Sequence, residues 1–133
     1  MKFLITIPSS ITFFVSLVPG FAGDATWYDS AGGIGSCGAQ LWHDSDIVAL
    51  GLAHAGNCGR RIWVYYNNNG RQATINAQVQ DFCPGCPGDN IDLSQSKFQE
   101  MAGDLGIGRT PITCMQIPTN TPPDPGIFLL TDR

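Results

Sequence analysis

The segment from residue 79 to 98, VQDFCPGCPGDNIDLSQSKF, constrains this chain more than any other. It takes a strand pattern into a tight Pro/Gly loop and out to a helix start. Asp81 closes the alternating strand, and Asp92 stands just before the helix, with Cys83-Pro84-Gly85-Cys86 between them. Both acids are expected at the edge of a barrel, where a groove can form. Two acids converging on a groove is the arrangement that sugar-cleaving and sugar-binding sites need.

The helix is well marked. Ser94 is a good N-cap, and Leu93 with Phe98 fits a hydrophobic staple. Phe98, Met101, Ala102 and Leu105 recur at i, i+3, i+4 and i+7, giving one apolar face, with Gly106 or Gly108 ending the region. Other apolar runs are short. Residues 25–29 (ATWYD) read as a strand, followed by a glycine loop through Ser36-Cys37-Gly38, and residues 47–52 read as a buried strand. Residues 61–66 and 72–80 alternate on either side of Asn67-Asn68-Asn69-Gly70, the signal of a hairpin. Residues 111–117 form the last strand. Short strands, glycine loops and one helix imply a mainly β protein built as a small closed barrel.

The two ends differ in character from this centre. Residues 1–22 carry Lys2, an interrupted apolar run and small residues at Gly20 and Ala22, the pattern of a secretory signal peptide cleaved after Ala22. The run is too short and broken to span a bilayer. Residues 118–133 are a Pro-rich tail whose prolines forbid a regular element. The barrel domain is expected at 23–117. Without the leader, 6 basic residues face 11 acidic ones, which excludes a nucleic-acid or anionic-membrane surface.

Five cysteines behind a secretion signal read first as disulfides, with one left over. Cys83 and Cys86 can bridge their own loop, although another pairing is open. A zinc site lacks a second ligand pair, and a thioredoxin-like motif would sit at a helix start rather than in a Pro/Gly loop. Cys114, inside the last strand, is expected to be the spare, buried as a small hydrophobe.

The order of these motifs resembles the expansin barrel domain. ATWYD with a glycine loop ending in Ser36-Cys37-Gly38 resembles its start, and the Asp-x-Cys-Pro segment with Asp92-Leu93-Ser94 and the helix resembles its end. The wider group is the double-psi β-barrel of expansins, barwin-like proteins, rare-lipoprotein-A-like domains and family 45 glycoside hydrolases. With one barrel domain, the chain resembles the short expansin-like proteins called loosenins. Secreted microbial papain inhibitors share a similar barrel and Cys-Pro-Gly-Cys loop. The resemblance implies a six-stranded double-psi β-barrel with one short helix, and a Cys37–Cys58 bond.

It also implies roles. Asp92 matches the proton donor of the family 45 hydrolases, which expansins also require; a helix-preceding acid is the plainer account. Asp81 matches a groove aspartate of expansins and of lytic transglycosylases, or else caps the amides of its loop. Thr26 and Tyr28 match residues lining the expansin groove, and alternation puts them on one face with Trp27 opposite. His54 falls where transglycosylase-like domains carry an active-site histidine, but their accompanying glutamate has no clear match, so it reads as structural or as a substrate-binding hydrogen-bonder of the groove. Asp29 sits near the place of a family 45 catalytic base yet shares a face with Trp27, which argues against hydrolysis. Trp42, Trp63, Tyr65 and Tyr66 could stack on sugar rings, although one of the faces 63/65 and 64/66 is expected in the core.

The expectation is thus a secreted, monomeric, expansin-like protein. It would bind and loosen cell-wall polysaccharide (cellulose, chitin or a related glucan) without net hydrolysis, and no metal or organic cofactor is implied. A papain-type cysteine protease inhibitor is the alternative. A family-45-like endoglucanase or lytic transglycosylase is the third reading.

Overall fold

A computed structural model describes residues 20–116. The tail expected at 118–133, and residues 1–19 of the signal peptide expected at 1–22, lie outside the described residues. Six strands, β1 (Gly20–Tyr28), β2 (Ile47–Gly51), β3 (Arg61–Asn68), β4 (Arg71–Cys83), β5 (Ile91–Ser94) and β6 (Arg109–Gln116), close into a barrel in the order β1-β5-β2-β4-β3-β6. One helix, α1 (Gln95–Ala102), packs against it. This is the expected six-stranded double-psi β-barrel.

Alternation builds the core. Val64 and Tyr66 of β3 point inward with Ile75, Ala77 and Val79 of β4, while Trp63 and Tyr65 face out. Tyr66 therefore belongs to the core and not to any exposed aromatic platform. Asn69 and Gly70 both take positive φ, 53° and 71°, as a two-residue hairpin with the right twist requires. In α1, the Ser94 hydroxyl accepts from the Lys97 amide, and Phe98, Met101 and Ala102 are buried. The helix ends earlier than expected, at left-handed Gly103, because only a glycine tolerates the φ of 86° there. Leu105 lies beyond it in a separate 3₁₀ turn (Leu105–Ile107) yet still packs on the core.

Two elements differ from expectation. β5 is a strand, not a helix approach: Ile91 and Leu93 are fully buried between β1 and β2, so Asp92 points the other way. β1 begins at Gly20, three residues before the expected boundary, with Gly20, Phe21 and Ala22 paired to Met115, Cys114 and Thr113 of β6. Phe21 further stacks on His54, ring centroids 4.5 Å apart.

The cysteines bond Cys37 to Cys58 and Cys83 to Cys86, leaving Cys114 free and buried. Burial, with the charge of Asp89, pushes the Cys114 thiol up to about 12, so it stays neutral.

Candidate functional site

Strand register brings the residues of the expected groove into one row. Thr26 of β1 pairs with Asp92 of β5, Asp92 with Ala49 of β2, and Ala49 with Asp81 of β4. One row of side chains thus crosses four strands, putting the two acids two strand spacings apart, about 10 Å along the sheet. Ala49 forms the floor between them; it is buried although it faces away from inward-pointing Val48.

Asp81 reaches this row through a bulge. Strict alternation after Ile75, Ala77 and Val79 would send Asp81 inward. The register instead slips between Val48 and Ala49, which pair with Val79 and Asp81 and leave Gln80 unmatched. The extra residue rotates Asp81 onto the groove face. It also frees the Gln80 carbonyl to accept from the Cys37 amide at 3.2 Å. Gly35 lies so close to that carbonyl that a β-carbon would collide with it, which is why the loop needs glycine at this point.

The hydrogen bonds give the acids different characters. Asp81 Oδ1 accepts from the Ser36 amide and hydroxyl, each at 2.8 Å, and from the Phe82 amide at 2.9 Å; Oδ2 accepts from the Tyr28 hydroxyl at 3.1 Å. Burial pulls this carboxyl up, but these donors outweigh it and hold it below the usual carboxylate range. Asp92 has one side-chain donor, the Thr26 hydroxyl at 2.8 Å. Burial pushes its carboxyl up; the Asp81 charge adds to this, while Thr26 and Arg109 oppose it. Tyr28, between the two, is raised by burial and by the charges of Asp81 and Asp92. One acid is held ionised by donors on both oxygens, and the other sits partly buried with acceptor capacity to spare.

The Asp92 shift has a sign that can be measured. A carboxyl with a raised folded-state pKa favours folding below the unfolded value of about 3.9 and loses that contribution as pH rises through the folded value. Ionised Asp92 therefore weakens the fold at neutral pH. Asp92→Asn is expected to raise Tm at pH 7 and to leave it unchanged at pH 3, as read by circular dichroism. A Tm lowered at pH 7 would contradict this account.

The remaining residues divide between this face and other parts of the barrel. Thr26 and Tyr28 line the groove, and Trp27 on the opposite face donates from Nε1 to the Leu105 carbonyl at 2.9 Å. His54, on the 3₁₀ turn Leu52–His54, pairs through Nε2 with Asp89 at 2.7 Å instead of with either groove acid. Asp29 is exposed and accepts from the Ala31 amide at 3.1 Å, closing its own turn. Trp42 is 49% exposed, with its ring beside Gly32. Trp63 and Tyr65 are exposed on the outer face of β3. Cys83 and Cys86 border the site: their sulfurs and a carboxylate oxygen of Asp92 lie within 4.8 Å of one another. Ser36 and Ala49 are groove residues that sequence reasoning missed. The glycine loop ending in Ser36-Cys37 was the available signal for the first; the second had none.

Residues 20–114 match the double-psi β-barrel family model described as lytic transglycolase. The chain belongs to this family. Among curated relatives, this double-psi β-barrel is 35% identical over 94 residues to the papain inhibitor of Streptomyces mobaraensis, covering 64% of each chain. It is 36% identical over 95 residues to Allergen Asp f 7 of Aspergillus fumigatus, 65% of this chain and 33% of that protein. The chain spans from about a third to just under two thirds of these relatives' lengths. Among solved structures, the Streptomyces papain inhibitor aligns with a TM-score of 0.63 at 32% identity, over 75% of this chain and 96% of that one. A mutant expansin of Clavibacter michiganensis, solved in complex with cellohexaose, aligns with a TM-score of 0.65 at 26% identity, over 79% of this chain and 54% of that one. Among the described residues, no helix is long and apolar enough to cross a membrane.

Proposed function

We propose that this double-psi β-barrel is a secreted protein that binds cell-wall polysaccharide in the groove of Thr26, Tyr28, Asp81 and Asp92, and loosens the polymer without cleaving it. The observation that carries this reading is the unequal state of the two acids. Asp92 has spare acceptor capacity on a face that also carries the Thr26 and Tyr28 hydroxyls, and can take hydrogen bonds from sugar hydroxyls. Asp81 has donors on both oxygens, an arrangement suited to orienting Tyr28 rather than to activating water. An inverting glycosidase needs a free second carboxylate as base. Asp29, the other candidate for that part, is engaged with its own turn. Sugar contacts made here would compete with polymer–polymer contacts and break no covalent bond. The expansin relative solved with cellohexaose supports the polymer class.

The test is retention of the protein on insoluble cellulose and chitin, wild type against Asp92→Asn, with soluble reducing sugars assayed in the same tubes. Retention without sugar release is expected, weakened in the variant by about tenfold or more, the loss of one hydrogen bond to a charged group at about 1.5–3 kcal/mol. Sugar release abolished by the substitution would make the protein a hydrolase or lytic transglycosylase. No retention on either polymer would sink the reading.

One observation favours a second reading, inhibition of papain-type cysteine proteases: the likeness to the papain inhibitor spans 96% of that chain, against 54% of the expansin. The disulfide-braced loops, with Pro84 and Gly85 exposed, would present a rigid edge to a protease cleft. Titration of papain with the protein, read by residual peptidase activity, decides between them.

A further inference from the structure

The two disulfides differ in what they can do for the fold. Cys37 and Cys58 are 21 residues apart, whereas Cys83 and Cys86 are 3 apart. The stabilisation from a cross-link grows with the loop that it closes, so the smaller ring contributes less. Its position calls for another account. Cys83 ends β4 two residues beyond Asp81 and pairs with Gly51 of β2. The Cys86 carbonyl fills the space where a β-carbon on Gly51 would stand, at 2.7 Å, which seats the loop on the end of the groove. Both sulfurs lie within 4.8 Å of each other and of an Asp92 carboxylate oxygen. Cys83 and Cys86 are only partly buried, and Pro84 and Gly85 between them are exposed, so a small thiol can reach the bond.

We propose that Cys83 and Cys86 form a thiol–disulfide exchange site for low-molecular-weight thiols of the glutathione class, with Asp92 as the proton acceptor when the bond closes. In opening, a glutathione thiolate attacks one loop sulfur and forms a mixed disulfide; the other loop sulfur leaves and takes up a proton. A second glutathione resolves the mixed disulfide, so two glutathiones become one oxidised glutathione and the loop holds two thiols. In closing, the Asp92 carboxylate takes the proton of one loop thiol. The resulting thiolate attacks oxidised glutathione and expels one reduced glutathione. The second loop sulfur, as its thiolate, then displaces the other and restores the ring. Two electrons pass from the loop to oxidised glutathione.

The surroundings suit Asp92 to this part. Thr26 donates to it, Arg109 and Asp81 act on it with opposite charges, and its own charge acts on the Tyr28 hydroxyl. Burial raises its proton affinity toward that of a thiol, which makes it a better base. The sulfur chemistry does not depend on whether the groove holds sugar, so it stands or falls separately from the proposed function.

The test uses the full chain, treated with graded reduced glutathione and trapped with iodoacetamide for mass spectrometry. Cys83 and Cys86 are expected to be alkylated first, with Cys37 and Cys58 still bonded and buried Cys114 unmodified. Opening of Cys37–Cys58 before or together with the small ring would overturn the proposal. The second arm follows closure by oxidised glutathione from about pH 6.5 to 9. At about pH 6.5, two units below an ordinary thiol pKa of about 8.5, roughly one thiol in a hundred is ionised and a base has most to contribute. Asp92→Asn is expected to slow closure there by at least about tenfold, with the gap closing toward pH 9, and Asp92→Glu to recover part of the rate. An unchanged pH profile in Asp92→Asn would remove Asp92 from the mechanism. The first arm uses the wild type alone and holds even if the variants fold poorly.

Discussion

Phe98→Ala is expected to cost about 3–5 kcal/mol, the usual penalty for emptying a fully buried aromatic site. In a domain of this size that lowers Tm by more than about 12 °C. Phe98 is 0% exposed, and its helix packs on β1, β4 and β5. It stands at N4, and its staple partner Leu93, also fully buried, precedes the Ser94 cap. The side chain therefore ties α1 to β5, the strand that carries Asp92. Collapse around the void would shift that strand and disturb the Thr26–Asp92 register, so groove binding should fall with stability. Gln99→Ala, one position along on the exposed face, is the control and should change stability by less than about 0.5 kcal/mol. Thermal unfolding followed by circular dichroism gives both values. A fall of only a few degrees for Phe98→Ala would mean that the helix is not anchored through this residue.

The parts of the fold legible in the sequence were those set by local chemistry. Ser94, Leu93 and Phe98 announced the helix through a cap and a staple, and Asn69-Gly70 announced the hairpin through its need for positive φ. The parts that were not legible depend on pairing with distant strands. β5 alternates, but it is only four residues long and runs straight into the helix cap at Ser94, too short a run to mark a strand by itself; burial of Ile91 and Leu93 between β1 and β2 makes it one. The bulge opposite Ala49 has no local signature, yet it decides which way Asp81 points. The start of β1 was hidden for another reason: Gly20, Phe21 and Ala22 continue the apolar run before them, so composition marks no boundary there. His54 shows the limit of spacing arguments. Its distance in sequence from Asp81 suits a shared site, but the 3₁₀ turn at Leu52–His54 and the Phe21 ring hold it against Asp89.

Replacing both Cys37 and Cys58 with serine is expected to cost about 3 kcal/mol through the freedom returned to the unfolded chain, given a loop of 21 residues' separation. The consequence for the site is larger than that figure suggests. Cys37 holds the end of the glycine loop, and its neighbour Ser36 supplies two of the four hydrogen bonds that keep Asp81 ionised. With the tether gone, the loop can leave the Gln80 carbonyl, and Asp81 loses those donors. Its pKa should then climb back toward the ordinary carboxylate value, which a carbon-detected NMR titration of the Asp81 side chain reads directly. The sign for stability is opposite to that of Asp92. A carboxyl held low in the folded state stabilises above the unfolded pKa of about 3.9, and that contribution is lost as pH falls through the folded value. The wild type should therefore lose stability on acidification in this range, and the double variant should lose less, because less of the Asp81 contribution remains to be removed. An unchanged Asp81 titration in a double variant that still folds would show that the glycine loop keeps its place without the disulfide, and that Ser36 is positioned by the bulge at Gln80 alone.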